Sequence, residues 1–262
     1  MDNNVTVLVN SCDAYEDTWM PMFKLLKKYW PDRKYPIVLN TETKQYDFED
    51  MNIKTINLDK NKKVSWSKRL KDCLKKIDSK YILFMLDDFF IFDYVDQKRL
   101  DEVVSWLEND KNAAVFSFFR VEKNKYEDTK SEKYPDYNLR NKKGPYRFNC
   151  QAAIWRKDVL VRSLRNYESA WDWELIGNRR SRRYKEDFYT LISNKKLIFP
   201  YNYEDIGIVR GKWRLPKIDE LFKKEGIKID YSIRNDRAVL VKKINPRIEK
   251  IKLYIKKVIA LF

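Results

Sequence analysis

The chain has 262 residues, 44% of them hydrophobic, and 55 lysines and arginines against 39 acidic residues give a net charge of +16. The length suits one large α/β domain, or one domain with a small appendage. There is no histidine, which excludes a Ser-His-Asp triad, a His-ligated zinc and an imidazole base, and leaves other side chains for any chemistry. The positive charge favours anionic partners such as nucleotides, nucleic acid or an acidic membrane surface.

Three widely spaced cysteines, Cys12, Cys73 and Cys150, include no Cys-x-x-Cys pair. This pattern predicts neither a disulfide framework nor a zinc site, and it fits a reducing cytoplasm. No apolar run reaches the roughly 18 residues of a membrane span, and the first residues lack the basic-then-apolar order of a secretory signal. We therefore expect a cytoplasmic protein, at most peripheral on the inner face of the cytoplasmic membrane.

Strands and helices alternate along the chain. The predicted strands are residues 5–10, 35–40, 53–58, 81–86, 113–119, 151–155 and 197–201. The predicted helices are residues 17–29, 65–77, 97–108 and 157–164. Residues 122–148 are polar, tyrosine-rich and broken by Pro and Gly, and are predicted to form a long loop. The alternation predicts an α/β fold with a mainly parallel central sheet flanked by helices.

The strand at 81–86 ends directly in two adjacent carboxylates, Asp87 and Asp88. Like charges so close repel each other and resist burial, so folding alone does not account for them. A hard cation such as Mg²⁺ or Mn²⁺, shared with a phosphate-bearing ligand, would use the pair, and such ligands bind at the carboxyl end of an open α/β sheet. Both carboxylates can serve one ligand only if the strand has ended or kinked there. The alternative is an acidic turn or helix cap.

Several motifs follow one another in a recognisable order. They are strand 5–10 with its Asp-containing loop, Trp66–Leu70, Leu86–Phe90, Gln151–Trp155, Trp171–Glu174 and Arg210–Trp213. Together they resemble bacterial GT-A-fold glycosyltransferases encoded in capsule and lipopolysaccharide gene clusters, over roughly residues 5 to 213. The resemblance implies a GT-A-like, Rossmann-related fold and a nucleoside-diphosphate sugar donor, a UDP-sugar first. It also implies Mn²⁺ or Mg²⁺, a saccharide or lipid-linked saccharide acceptor, and no nucleic acid.

The resemblance gives the two aspartates a role. In the family an Asp-x-Asp element binds the metal and the donor's ribose and diphosphate, and Asp87 and Asp88 lie at that place. Because the acids are adjacent here, which of them touches the metal stays open; we favour Asp88, with Asp87 towards the ribose or sugar. Asn10, Ser11 and Asp13 end the first strand and are candidates to contact the donor's base and ribose.

Residues 171–174 resemble the acidic motif that supplies the catalytic base in inverting members. Inversion requires a carboxylate that removes the acceptor hydroxyl's proton, and Glu174 is the first candidate and Asp172 the second. Trp171 and Trp173 are candidates to stack on the acceptor's sugar rings and to raise the carboxylate's pKa by desolvation. The alternative is a helix start, with acids favoured by the helix dipole and tryptophans in the core.

The leaving nucleoside diphosphate requires positive charge nearby. Arg210 and Lys212 flank a glycine that permits close backbone approach, and Arg69 lies on the helix before the aspartate strand. A solvated turn is the alternative for the first two. The basic cluster at 179–183 either binds an anionic acceptor or lipid head groups, or is a solvated helix face.

The last residues form a separate unit in this prediction. Residues 240–262 are expected to form a basic amphipathic helix, beginning at Asn245 and Pro246, after a catalytic domain at 1–239. Such a helix suits an anionic membrane surface, or it packs on the catalytic domain or a dimer partner.

Two other functions compete with sugar transfer. A basic nucleic-acid-binding protein explains the charge but not the strand that ends in two aspartates. A sugar nucleotidyltransferase normally has a Gly-rich phosphate loop near its N-terminus, and residues 11–15 contain no glycine. The sequence therefore predicts a metal-dependent, inverting glycosyltransferase that extends a surface polysaccharide.

Overall fold

The centre of the molecule is a nine-stranded sheet, seen in a computed structural model that describes residues 4–57, 64–121, 126–201, 207–209, 211–214 and 217–234. The strands are β1 (Val5–Asn10), β2 (Ile37–Thr41), β3 (Ile53–Asn57), β4 (Tyr81–Leu86), β5 (Ala113–Ser117), β6 (Thr129–Lys130), β7 (Tyr137–Leu139), β8 (Ala153–Arg156) and β9 (Asp187–Leu191). Their order across the sheet is β3-β2-β1-β4-β8-β5-β9-β7-β6.

Most strands run in one direction. β1, β2, β3 and β4 are parallel, and β5 and β9 are parallel to each other. Only β7 and β8 run against the others in the described sheet, because β8 pairs antiparallel with both β4 and β5, and β7 with both β9 and β6. The predicted α/β class with a mainly parallel sheet is confirmed.

Helices cover both faces of the sheet. They are α1 (Glu16–Tyr29), α2 (Trp66–Leu74), α3 (Gln97–Asn109), α4 (Lys157–Ser163), α5 (Ala170–Asp172), α6 (Asn178–Ser181) and α7 (Lys217–Lys224). A π-helical turn, Trp173–Gly177, joins α5 to α6, so that residues 170–181 form one helical segment. A short hairpin of β10 (Ile208–Val209) and β11 (Lys212–Trp213) lies outside the sheet.

Neighbouring residues of a strand contribute to apolar clusters on opposite faces of the sheet, because side chains alternate between the faces with a period of two residues. Val7 of β1 and Leu83 of β4 belong to one apolar cluster, which α1 and α3 cover. Their neighbours Leu8 and Phe84 belong to the opposite cluster, which α2 and α4 cover. Because both faces are buried, these strands read as continuous apolar runs in the sequence rather than as alternating ones.

Two stretches differ from their predictions. Residues 122–148, expected as a loop, contain β6 and β7, which extend the sheet beyond β9. The prediction of a strand at 197–201 is wrong: the sheet strand in this part of the chain is β9, at Asp187–Leu191. Residues 197–201 instead pack over the loop after β4, where Phe92 N donates to Pro200 O and Asp96 N to Ile198 O. Proline lacks an N–H for a sheet ladder, which is consistent with this position.

The predicted C-terminal helix at 240–262 lies outside the described residues. In the part of the chain that the structure describes, no helix combines the length and apolar character that membrane crossing requires.

Candidate functional site

The candidate site lies where the sheet changes its winding direction. From β1 the chain moves outwards to β2 and β3, and then returns to the other side of β1 to form β4. β1 and β4 end side by side, with Asn10 paired to Leu86. Ligands of open α/β sheets bind in the crevice that forms at such a switch point, outside the carboxyl ends of the strands. The next residues, Ser11 and Asp87, therefore stand at the mouth of this crevice.

A short chain of hydrogen bonds fixes Asp87. Its Oδ2 accepts a hydrogen bond from the Ser11 hydroxyl, whose oxygen in turn accepts one from Trp19 Nε1 at 2.6 Å. Trp19 is fully buried on α1, and Asp87 itself is only 5% exposed. The indole therefore orients the serine, and the serine orients the carboxylate.

Asp88 lies in the turn that follows β4, so the strand has ended before the second carboxylate, as shared ligand binding requires. Its Oδ1 is buried and has no hydrogen-bond partner among the described residues. Burial raises the pKa of both aspartates, and the charge of Asp88 raises that of Asp87 further. A cation would satisfy the unpartnered oxygen and relieve the repulsion, so the pair fits a hard metal ion.

The two aspartates do not make a complete metal site. Among the described residues, no group of three or more acidic or cysteine side chains is placed to hold a metal. Mg²⁺ and similar ions are commonly held by one or two carboxylates, with waters and substrate phosphates in the other positions. The pair therefore fits a metal shared with a phosphate ligand rather than a closed structural site.

In metal-free protein, we expect stability to increase as the pH falls from about 7 to about 5. Burial raises the pKa of Asp88 to about 6. A carboxyl group with a raised folded-state pKa binds its proton more tightly when folded, so its destabilising effect is present at higher pH and disappears as the pH falls. The effect is on the order of 1 to 3 kcal/mol. Urea unfolding in EDTA measures it; Asp88→Asn should flatten the dependence, and a flat wild-type curve would contradict it.

Glu174 lies beside the residues that precede β8, near the carboxyl end of β4. Because β8 runs antiparallel to β4, with Phe84 paired to Ala153, the residues before β8 lie beside the carboxyl end of β4. There the backbone N–H of Cys150 donates to Glu174 Oε1 at 2.6 Å. Burial raises the pKa of the Cys150 thiol, and the charges of Glu174 and Asp88 raise it further. Both carboxylates therefore lie within electrostatic reach of one thiol.

The environment of Glu174 suits a proton acceptor. The carboxylate is half-buried, and this burial raises its pKa, although hydrogen bonds from Cys150 partly oppose the shift. A carboxylate with a raised pKa is a stronger base than one in water. Asp172 is placed differently, because its Oδ2 accepts from Ser169 N at 3.0 Å and from Ser169 Oγ at 2.8 Å in a capping box. Its carboxylate thus helps to begin the helical segment.

The two tryptophans of this motif have opposite surroundings. Trp173 is fully buried, its ring stacks on Phe148, and its Nε1 donates to Ser163 Oγ at 3.0 Å. In this conformation Trp173 has no face open to an acceptor sugar, which corrects the expectation that it stacks on one. Trp171 is 71% exposed, one helical turn before Glu174, and its ring is open to a ligand.

The different burial of Trp171 and Trp173 can be tested by measuring the stability of variants. We expect Trp173→Ala to destabilise the fold by about 3–5 kcal/mol, because it removes a large side chain from a packed core. Trp171→Ala should change stability by less than about 0.5 kcal/mol. Chemical denaturation of both variants checks this difference, and similar losses in the two would show that Trp171 has a structural role.

The loop after β1 is tied to the end of β2. The Asp13 carboxylate accepts hydrogen bonds from the backbone of Glu42, Thr43 and Lys44. Burial would raise the pKa of Asp13, but the hydrogen bond from the Thr43 hydroxyl, together with these backbone hydrogen bonds, outweighs it and lowers the pKa. Arg69 reaches the same place, where its Nη2 donates to Ser11 O at 2.8 Å and its Nη1 pairs with Glu42 at 2.6 Å.

These contacts show which of the residues predicted to bind the sugar donor lie together. Ser11 and Arg69 meet at the carboxyl end of β1. Asn10 is buried within the sheet, where its Oδ1 accepts from Asn40 at 2.7 Å, and Asp13 shapes the loop. In this conformation the Asn10 side chain is bonded within the sheet, and the Asp13 carboxylate is bonded to the backbone of residues 42–44. Lys212 is exposed on β11, and Arg210 lies outside the described residues.

The sequence reasoning missed Arg234. Its Nε and Nη2 both donate to Asp17, at 2.8 and 2.5 Å, and its guanidinium lies 4.2 Å from the centre of the Tyr15 ring. Its charge lowers the pKa of both Asp87 and Asp88, against the larger effect of burial. Arg234 thus brings positive charge to the aspartate pair. No local motif marks it, because its partner Asp17 is 217 positions away in the chain.

No protein-family model matches the sequence, and a search of curated proteins finds no relative. Among solved structures, TarS from S. aureus has a TM-score of 0.48 at 12% identity, covering 97% of this chain and 78% of that one. A cytidylyltransferase from Leptospira borgpetersenii has a TM-score of 0.45 at 13% sequence identity, and the match covers 88% of this chain and 96% of that one. An active-site mutant of LgtC has a TM-score of 0.41 at 12% sequence identity, and the match covers 69% of this chain and 70% of that one. At such values these similarities assign neither a family nor an activity to this chain.

Proposed function

We propose that the chain is a metal-dependent glycosyltransferase that moves a sugar from a nucleoside-diphosphate sugar to a saccharide acceptor with inversion. One observation carries the proposal: near the carboxyl end of β4 lies a buried aspartate pair in which Asp88 has an unpartnered oxygen and acts electrostatically on the same Cys150 thiol as the Glu174 carboxylate. One carboxylate pair suits a metal and diphosphate, and a separate carboxylate suits proton removal. The motif order in the sequence supports the same activity.

The metal would be Mn²⁺ or Mg²⁺, with Asp88 as its main ligand and Asp87 beside it. A metal held there would supply positive charge next to the diphosphate of the donor. Asp87 is less free than Asp88, because the Ser11 hydroxyl already occupies one of its oxygens. This difference favours Asp88 as the ligand that touches the metal.

Glu174 would act as the base. The acceptor hydroxyl oxygen attacks the anomeric carbon while Glu174 takes its proton, and the bond from that carbon to the diphosphate oxygen breaks. The electron pair of this bond leaves with the nucleoside diphosphate. Cys150 holds one oxygen of Glu174, which orients the carboxylate, and the exposed Trp171 ring is placed one turn away to stack on the acceptor.

Arg234 would stabilise the leaving nucleoside diphosphate. Its guanidinium is fixed by Asp17 and Tyr15, and its charge already acts on both aspartates. Charge-assisted hydrogen bonds from arginine to phosphate oxygens are among the strong ones. The donor's base and ribose would lie beside Ser11 and Arg69, at the end of β1. We further propose a UDP-sugar donor, and an acceptor in surface polysaccharide biosynthesis that is reached from the cytoplasmic face of the membrane.

Arg234→Gln is expected to weaken nucleoside-diphosphate binding about tenfold or more, because it removes a charge-assisted contact. Asp17→Asn is the matched control: it weakens the ion pair but leaves the arginine's charge, and should retain most of the affinity. Isothermal titration with UDP and Mn²⁺ measures both. Equal losses in the two variants would show that the ion pair matters for folding rather than for the ligand.

The activity itself is tested by incubating the protein with a panel of nucleotide sugars, with Mn²⁺, Mg²⁺ or EDTA. Metal-dependent release of a nucleoside diphosphate from one donor is the expected result. Release of pyrophosphate from a nucleoside triphosphate and a sugar phosphate would indicate a nucleotidyltransferase instead. Nucleoside-diphosphate binding that is equally tight in EDTA would contradict the metal site.

A further inference from the structure

A second charged region lies outside the aspartate crevice. It is a cavity of about 650 Å³ between α2, α4 and the residues that follow α6. Its wall cations are Lys71, Arg162, Arg165, Arg180, Arg183 and Lys185. One wall anion, Glu186, accompanies these six cations, so the cavity has a strongly positive surface that attracts anionic ligands. We call it the basic cavity.

The basic cavity is separate from the aspartate site. Arg69 and Lys71 both belong to α2, but residues two apart on a helix point in nearly opposite directions. Arg69 points towards the crevice, where it contacts Ser11 O and Glu42. Lys71 lines the basic cavity on the other side of the helix.

The floor of the basic cavity is a fixed ion pair. Arg180 is buried, and its Nη1 and Nη2 donate to the two carboxylate oxygens of buried Glu168, at 2.6 and 2.7 Å. Nη2 also donates to Ser163 O at 2.9 Å. Gly177 makes room for this guanidinium, because a Cβ there would lie 2.8 Å from Nη2. The floor is therefore rigid, and Glu168 balances its charge.

The wall carries charge that is not balanced. Arg162 pairs with Glu186 and with Asp158. Lys71 and Lys185 form no ion pair with any residue in the described ranges, and the guanidinium of Arg165 donates to the Arg162 carbonyl, at 3.3 Å, rather than to a carboxylate of those ranges. Three cations from three separate segments of the chain thus line one cavity without an ion-pair partner among the described side chains.

We propose that the basic cavity binds a phosphate-bearing ligand, held by Lys71, Arg165 and Lys185 and bordered by the ring of Tyr184. A phosphate group carries up to two negative charges and three acceptor oxygens, which suits a cavity lined by three cations that have no ion-pair partner among the described side chains. The phosphate belongs either to a soluble phosphate ester or to a lipid head group. This binding requires no metal and is independent of the activity proposed above.

The test uses inorganic pyrophosphate as the probe, with the full chain in EDTA and about 0.15 M salt, so that the aspartate pair does not retain it. Wild-type protein should bind pyrophosphate in isothermal titration. The double variant Lys71→Gln/Lys185→Gln should bind it at least about tenfold more weakly. A wild-type protein without measurable binding, or a double variant of unchanged affinity, would overturn the proposal.

A matched control removes the same charge elsewhere. Lys98→Gln/Lys111→Gln changes two exposed lysines, one on α3 and one in the turn after it; α3 packs on the opposite face of the sheet, and the affinity should stay unchanged. An equal loss of affinity in this control would show that the overall positive charge of the protein, rather than the basic cavity, holds the pyrophosphate. That result would overturn the proposal. Vesicles containing phosphatidylglycerol separate the two sources: vesicle binding that depends on Lys71 and Lys185 indicates a lipid head group, and pyrophosphate binding alone indicates a soluble ester.

Discussion

Asp88→Asn is expected to lower the rate of sugar transfer by about 1,000-fold, and to abolish the metal dependence of nucleoside-diphosphate binding. The amide has the same shape as the carboxylate but lacks its charge and is a poor ligand for a hard cation. Stabilisation of phosphate charge by a metal contributes several kcal/mol, and each 1.4 kcal/mol or so is a factor of ten in rate. Titration of UDP with and without Mn²⁺, together with turnover, measures both effects.

Two companion variants sharpen the result. Asp78→Asn removes a charge from an exposed residue before β4 and should leave binding and turnover unchanged. Asp87→Asn tests which carboxylate is the ligand: if Asp88 holds the metal, metal affinity should fall more in Asp88→Asn than in Asp87→Asn. Folded Asp88→Asn protein with wild-type metal dependence would contradict the metal site.

Glu174→Gln is expected to lower kcat by about 10² to 10⁴ while donor binding stays within about twofold. The glutamine side chain keeps an oxygen that can accept the hydrogen bond from Cys150, so the local structure is preserved. Only the ability to take a proton is lost. Single-turnover transfer measures the rate, and titration with the nucleoside diphosphate measures donor binding.

The pH profile separates a base from a structural carboxylate. Because burial raises the pKa of Glu174, wild-type transfer should decline at acidic pH as this carboxylate becomes protonated. Asp172→Asn is the neighbouring control: it weakens a helix cap at a cost of about 1 kcal/mol and should change kcat little. If Asp172→Asn removed turnover and Glu174→Gln did not, the base would be Asp172.

Much of the first half of the fold was predictable from local patterns. β1 and β4 have the predicted bounds, because a run of apolar residues buried on both faces is both a sequence signal and a packing requirement. Ser65 was expected to begin a helix, and its hydroxyl indeed caps α2 by accepting from Lys68 N. The turn that contains Asp87 and Asp88 follows from the same pattern, since acids cannot continue a buried strand.

The second half was less predictable. β6 and β7 are two and three residues long, too short to show a period, and they form because β7 pairs with the edge of β9 and β6 pairs with β7. Residues 197–201 have the apolar composition of a strand, but their carbonyls accept hydrogen bonds from the loop after β4. Which apolar segment joins the sheet therefore depended on pairing partners far away in the sequence.

The sequence by itself determined that two carboxylates end a buried strand, that histidine chemistry is absent and that the class is α/β. Only the tertiary structure decided what surrounds Asp87 and Asp88. Ser11 reaches Asp87 across 76 positions, and Arg234 is fixed by Asp17 across 217. The structure also separated Trp171, open to solvent, from Trp173 in the core. The physical reason is range: burial and strand formation are visible in neighbouring residues, whereas a site is built from distant residues that meet only once the sheet has formed.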